Sequence, residues 1–307
     1  MRIVLLGGSG QVGWELQRAL APLGEIAALA RELHGDECGD LENPEGLRRA
    51  LRRLGPDVIV NAAAFTDVDR AEAEPERARR VNAEGPEILA GEAKRLDAWL
   101  IQYSTDYVFD GSGVKPWRED DEAAPLNVYG ESKRQGEEAV RDAGCRHLIL
   151  RTQWVYSSRR SNFLRTMLRL AAEREALEMV DDQTGAPTGA DLVADVTAHI
   201  VRSLTPVVGS GTYHVAARGE TTRHGYARFV VESARRGGWP LRLTEDAITP
   251  VASETLPTGA RRPRNSRLSV DRLEGAFRLR MPDWRAGVAR VVAELSEHRP
   301  LLAAQAR

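Results

Sequence analysis

Short apolar runs alternate with longer amphipathic stretches through the first half of the chain. The runs at 2–7 (RIVLLG), 25–30 (EIAALA), 57–63 (DVIVNAA), 99–104 (WLIQYS) and 147–151 (HLILR) are continuous in hydrophobicity and bounded by turn residues. That is the pattern of strands buried on both faces of a parallel sheet. Between them, residues 12–23, 44–54, 86–96 and 131–143 carry apolar positions at helical spacing with one polar face. Strand and helix repeating in this way predict an α/β fold, a doubly wound parallel sheet of the Rossmann type with helices on both sides. After about residue 155 the alternation loosens. Residues 161–175 and 189–204 still read as helices, while 181–189 (DDQTGAPTG) and 255–267 (TLPTGARRPRNSR) read as loops. The expected organisation is a dinucleotide-binding domain over 1–152, completed by a segment near 188–215. Residues 153–187 and 216–307 would form mainly a smaller mixed α/β lobe that binds substrate.

Composition narrows the picture. The chain has 307 residues, 42% of them hydrophobic and 29% charged, with a net charge of −2, the profile of a soluble globular protein. Nothing in that balance argues for a nucleic-acid or anionic-membrane partner. Cys38 and Cys145 are the only cysteines and form no CxxC motif, which suits a reducing, cytoplasmic setting. The six histidines show no paired ligand spacing, so a zinc site is not expected. The apolar run at the N-terminus is too short for a signal peptide, and no stretch is long enough to span a membrane.

Chemistry enters first at GGSGQVG, which follows the first predicted strand and opens the first predicted helix. Gly7, Gly10 and Gly13 fit GxxGxxG, and Gly8, Gly10 and Gly13 fit GxGxxG. Glycine is required there for a sharp turn, for close approach of main-chain amides to a pyrophosphate, and for helix–strand packing. Near the end of the second predicted strand stand Arg31 and then Glu32. Arginine first favours the extra phosphate of NADPH, with NADH as the alternative.

The second signal is Tyr129 and Lys133 in LNVYGESK. The chain holds three lysines, Lys94, Lys115 and Lys133, and uses arginine at its other cationic positions. Four apart on a helix, a phenol and an ammonium share one face, where the ammonium can lower the phenol's pKa and make it a proton donor. Thr105, in YSTDYVFDG, lies at the carboxyl end of the predicted strand at 99–104, the edge where open α/β sheets bind ligands. An isolated YxxxK is most often a surface pair. The hydroxyl and the glycine loop, in this order and on these elements, favour the catalytic reading instead.

Together GGSGQVGWEL, DVIVNAAAFTDVDRAE, YSTDYVFDG, PLNVYGESK, RTQWVY, DDQTGAPTGADL and RPRNSRL resemble the dTDP-4-dehydrorhamnose reductase family of extended short-chain dehydrogenases/reductases, from residue 1 to about 290. The resemblance implies reduction of dTDP-4-dehydro-β-L-rhamnose to dTDP-L-rhamnose by NAD(P)H, with Thr105, Tyr129 and Lys133 as the triad. It implies cofactor contacts at Gln11, Val12, Asp40, Leu41, Ala62 and Ala63 as well as at Tyr129 and Lys133. It implies a sugar pocket lined by Thr105, Asp106, Tyr107, Tyr129 and Trp154, with Arg262 and Asn265 at the nucleotide diphosphate. Trp154 is read equally well as a core aromatic. Glu15 and Asp191 match positions that in this family join a magnesium site at a homodimer interface, although the hydride chemistry requires no metal.

Three other readings stay open on the sequence. One is a nucleotide-sugar 4,6-dehydratase or 4-epimerase, although Tyr107 stands where dehydratases resemble a Thr-Asp-Glu arrangement. Another is a reductase of a different 4-keto nucleotide sugar. The third is a non-catalytic, NADP-binding regulatory subunit of the kind found with methionine adenosyltransferase.

Overall fold

The computed structural model describes residues 1–31, 38–204, 209–256 and 258–297. Glu32 and the tail 301–307 lie outside them. Five parallel strands come from the predicted runs: β1 (Arg2–Leu6), β2 (Glu25–Leu29), β3 (Val58–Asn61), β4 (Trp99–Thr105) and β5 (Arg146–Thr152). A sixth strand, Gly211–His214, pairs in parallel with β5, giving the order Gly211–His214, β5, β4, β3, β1, β2. The chain reverses its winding between β1 and β3, so the carboxyl ends of those strands open a crevice.

Alternate residues of each strand enter two cores. Ile3, Leu5, Val58, Val60 and Ile101 pack against Leu16 and Leu20 of α1 (Gln11–Leu20) and Val193 and Ile200 of a helix at Ala190–Arg202. Val4, Leu6, Ile59 and Leu100 face α2 (Pro44–Leu54), where Leu47 and Leu51 are buried. Because both faces are covered, the strands read as unbroken apolar runs. α2 has defined ends. The Asn43 side chain accepts from the Gly46 amide at 3.0 Å, and Gly55 adopts a left-handed φ of 53° just past the last turn.

Between β3 and β4 the structure departs from the sequence expectation. Residues 68–95 form a nearly continuous helical run: α3 (Val68–Ala73), α4 (Pro75–Arg79), a π-helical turn at Arg80–Glu84, and α5 (Gly85–Arg95). Only 86–96 was legible as helix. Asn82 in the π turn is buried and bonds Phe65 through both its amide and carbonyl groups, and Ser132 at 3.0 Å. That pins the run against α6 (Val128–Asp142), where a Cβ on Gly136 would meet the Asn82 carbonyl at 2.1 Å.

The second lobe has its own core. α7 (Phe163–Glu173) contributes Leu164, Met167 and Leu168, and the Ala190–Arg202 helix, α8, borders it. α9 (Arg223–Arg236) supplies Tyr226 and Val230. α10 (Asp271–Phe277) caps the sheet core instead, and α11 (Trp284–Glu297) completes the lobe with Trp284, Val288 and Val292. Its short strands pair across long separations, Leu177–Val180 with Ile248–Val251 in parallel, and Thr184–Gly185 with Thr221–Thr222 antiparallel. No helix among the described residues is long and apolar enough to cross a membrane.

Candidate active site

The crevice at the carboxyl ends of the strands is a cleft of about 920 Å³, walled by the glycine loop, the ends of β3 and β4, the start of α6, and residues 152–155 and 223. Its floor is set by glycines at Gly7, Gly10 and Gly13. Gly7 has φ +77°, and a Cβ there would lie 2.6 Å from the Ala62 carbonyl carbon and the Ala63 amide. A Cβ on Gly13 would lie 2.0 Å from the Gly7 carbonyl oxygen. Gly10 is the N-cap of α1 and supplies no side chain to satisfy the first-turn amides. A Cβ on Gly8 would make only ordinary contacts, with the Gln17 side chain at 3.4 Å and the Ala28 Cβ at 3.5 Å. The first of the two glycine patterns is therefore the one the fold requires. A turn of bare amides at a helix N-terminus fits a pyrophosphate.

Gln11 and Val12 follow on the same turn. The Gln11 carboxamide oxygen accepts from Ser157 Oγ and Asn162 Nδ2, each at 2.9 Å, so its side chain ties the loop to the second lobe. Its main-chain amide remains the group available to a cofactor. Val12 packs against the sheet core. At the far end Arg31, 61% exposed, donates to Glu42 at 2.9 Å and stands 3.8 Å from Asp40. Glu42 also pairs with Arg77 at 3.0 Å and with Arg80 at 3.8 Å, and it is held below the usual carboxylate range, chiefly by the Arg77 hydrogen bond. Asp40 and Leu41 line this end, and Ala62 and Ala63 line the wall after β3.

The catalytic candidates converge. Asn127 caps α6 by accepting from the Gly130 amide at 2.8 Å, so the helix starts at Val128, before the predicted 131, and Tyr129 falls in its first turn. Lys133, one turn on, is 4% exposed and donates from Nζ to the Tyr103 carbonyl at 2.7 Å. Thr105 is the last residue of β4. Its hydroxyl donates to Asp106 Oδ1 at 3.1 Å and accepts from the Tyr107 amide at 3.2 Å. Tyr107 and Tyr129 meet edge to face, with ring centroids 5.6 Å apart.

Electrostatics here differ from the expectation in one respect. Burial pushes the Tyr129 phenol well above its ordinary value, the Thr105 hydroxyl opposes that rise, and Lys133 is not among the groups that move it. The ammonium is engaged by the Tyr103 carbonyl instead. Burial lowers Lys133 itself to about 8, with Glu137 one turn further along pulling the other way. Glu137 is buried and paired with Arg151 at 2.7 Å. Asp106 is also buried, with Oδ2 unpartnered, and burial raises its carboxyl to about 6.

Trp154 proves to be a cleft residue. Its backbone sits in the left-handed region at φ +44°, and its ring lies 3.7 Å from the Arg223 guanidinium. A Cβ on Gly185 would come within 2.9 Å of that ring, so a glycine is needed to admit it. Arg223 escaped sequence reasoning. Its one sequence-level signal is a cation in the first turn of a helix that carries no acidic residue there.

The remaining candidates are engaged within this chain. Asn265 is buried away from the cleft, donating to the carbonyls of Ser112 at 3.1 Å and Lys115 at 2.8 Å and accepting from Arg267, so its amide is spent on holding loops together. Arg262 pairs with Asp69 at 2.7 Å outside the cleft wall. Glu15 binds Arg18 at 3.2 Å and Asp191 pairs with Arg290. Among the described residues no group of three acidic, His or Cys side chains gathers to hold a metal.

With this geometry in place, the comparisons are specific. Residues 1–297 match the family described as RmlD substrate binding domain. The chain is 52% identical over 297 residues to dTDP-4-dehydrorhamnose reductase of Escherichia coli K12, covering 96% of this chain and 98% of that one. It is similar to the crystal structure of dTDP-4-dehydrorhamnose reductase from Bacillus anthracis in complex with NADP, at 31% identity and TM-score 0.86 over 95% of this chain and 99% of that one. The dTDP-glucose 4,6-dehydratase DesIV of Streptomyces venezuelae, with TM-score 0.80 at 20% identity over 98% of each chain, shares the fold alone.

Proposed function

The chain belongs to the dTDP-4-dehydrorhamnose reductase family, and from that premise we propose that it reduces the 4-keto group of dTDP-4-dehydro-β-L-rhamnose to give dTDP-L-rhamnose. The observation that carries the reading is the convergence of Thr105, Tyr129 and Lys133 on one cleft with the glycine turn.

A nicotinamide cofactor, when bound, supplies the hydride. The residues that would hold it are the turn at Gly7, Gly10, Gln11, Val12 and Gly13, then Arg31, Asp40 and Leu41 at one end, and Ala62, Ala63, Tyr129 and Lys133 at the other. NADPH is the favoured form, because arginines surround Glu42 at the far end.

The proton falls to the chain. A phenol raised by burial stays protonated at neutral pH, so Tyr129 is loaded as an acid until a more basic alkoxide develops beside it. The sugar's keto oxygen becomes a hydroxyl by taking that proton, and Tyr129 is left as phenolate. Lys133, one turn away and buried, donates to the Tyr103 carbonyl and so positions the helix turn that carries Tyr129 against the end of β4. Thr105 turns its hydroxyl from Asp106 to the keto oxygen, which orients and polarises it. Asp106 and Tyr107 line the sugar end with Trp154.

The test is NADPH oxidation with enzymatically generated dTDP-4-dehydro-L-rhamnose, wild type beside Tyr129→Phe. Stoichiometric consumption that falls by about 10²- to 10⁴-fold in the variant is expected. No consumption by a wild-type protein that binds NADPH overturns the proposal.

A further inference from the structure

Among the described residues, four charged side chains line the cleft apart from Asp40: Arg31, Lys133, Asp106 and Arg223. Three have protein partners. Arg31 is neutralised by Glu42, Lys133 donates to Tyr103 above Glu137, and Asp106 accepts from Thr105. The Arg223 guanidinium forms no hydrogen bond or ion pair among the described residues; it stacks on the faces of Trp154 at 3.7 Å and Phe163 at 5.3 Å, and the Asp106 carboxyl and Tyr107 lie within electrostatic reach. Such stacking leaves the edge of the planar fork, with its N–H donors, free to meet an anion.

Holding that cation there is costly in three ways. It sits in the first turn of α9, against the helix dipole. It is desolvated enough that burial pulls its pKa down. The Trp154 beneath it keeps a left-handed backbone, which non-glycine residues adopt under constraint. Thr222 fixes the helix start by accepting from the Gly225 amide at 3.0 Å, so Arg223 is aimed by a capped helix.

We propose that Arg223, seated on Trp154, is the residue that receives the diphosphate of the nucleotide sugar. This rests on the functional reading above and changes its expected phosphate contact. Arg262 was the sequence candidate; its Nη2 is matched by Asp69, while its buried Nη1 has no partner. An arginine fork with an open edge suits paired phosphate oxygens, and one already matched by a carboxylate gains less.

The experiment is calorimetric titration of dTDP and of thymidine into wild type, Arg223→Gln and Arg262→Gln, each also titrated with NADPH as a check on folding. Arg223→Gln is expected to weaken dTDP by about 10- to 100-fold, the range for a charged hydrogen-bond partner. Thymidine and NADPH should be unaffected, and Arg262→Gln should cost dTDP much less. Unchanged dTDP binding, or equal losses for dTDP and thymidine, overturns the proposal. If Arg223→Gln fails to bind NADPH, Arg223→Lys replaces it. That variant keeps the charge and loses the fork, so about a tenfold loss for dTDP alone is expected and wild-type affinity counts against the assignment. A wild-type protein that binds NADPH but no dTDP overturns the functional reading instead.

Discussion

The buried ammonium of Lys133 donates to the main-chain carbonyl of Tyr103 at 2.7 Å, tying the start of α6 to the last strand residues before Thr105. One bond thus fixes the spacing between the element that carries Tyr129 and the element that carries Thr105. A bulkier cation has no room at a site that is 4% exposed, and a planar fork cannot reproduce a single compact donor. Lys133→Arg should therefore lose at least about 100-fold in kcat while the protein still folds, as followed by NADPH oxidation and thermal melting. Near-wild-type turnover would remove lysine's compactness from the mechanism.

The two titrating groups nearest the chemistry bracket neutral pH. Burial raises Asp106 to about 6, with Ser266 and Thr105 opposing, and lowers Lys133 to about 8. As pH falls through 6, Asp106 takes up a proton and changes how it holds Thr105. As pH rises through 8, Lys133 loses the charge that strengthens its bond to the Tyr103 carbonyl and so the placing of Tyr129. A bell-shaped profile of kcat/KM is expected, and Asp106→Asn should remove its acid limb while leaving the alkaline one. An acid limb that persists in the variant assigns it to another group.

Asp106 also links activity to stability. Its folded value of about 6 lies above the ordinary 3.8, so the folded state binds the proton more tightly than the unfolded chain. Stability then falls as pH rises from 3.8 to 6, and the full cost of the buried charge stands above 6. Removing the charge in Asp106→Asn should stabilise the protein at pH 7.5 by about 1–3 kcal/mol, with little gain near pH 4. Melting curves at both pH values read this directly. An equal shift at the two would point to packing rather than charge.

The glycine loop separates two patterns that the sequence left equal. Gly13→Ala would drive a Cβ into the Gly7 carbonyl, whereas Gly8→Ala makes only ordinary contacts with the flexible Gln17 side chain and the Ala28 Cβ. The first should abolish measurable NADPH binding, and the second should keep it within about threefold, because only the first displaces the turn itself. Fluorescence titration of NADPH compares them. Equal losses would show that backbone freedom at Gly8 matters as well.

How much could be read in advance depended on how local the cause was. The strands were legible because burial on both faces leaves no polar position to break the run, and Tyr129–Lys133 was legible because helical spacing is a property of the sequence. The helical run at 68–84 was not, since it buries little more than Ala71, Ala78, Val81 and Asn82, and Pro75 interrupts it. Position in a motif could not show that the Asn265 amide is taken up by the carbonyls of Ser112 and Lys115. Arg223 was invisible because its role depends on Trp154, which reaches it only through the assembled second lobe.

Cofactor choice turns on the same kind of competition. Arg31 faces the far end of the cleft, yet its guanidinium is paired with Glu42, which Arg77 and Arg80 also approach. An incoming 2′-phosphate must draw Arg31 away from that carboxylate, and the neighbouring arginines keep Glu42 satisfied when it does. Arg31→Ala should lower the NADPH to NADH ratio of kcat/KM by about tenfold, the worth of one charge-assisted contact at an exposed site. Glu42→Gln should raise it, because Arg31 then meets the phosphate without a rival. Parallel assays with both cofactors measure the ratio in each variant. Equal efficiency with NADH and NADPH in the wild-type protein would sink the assignment of Arg31 as the discriminating residue.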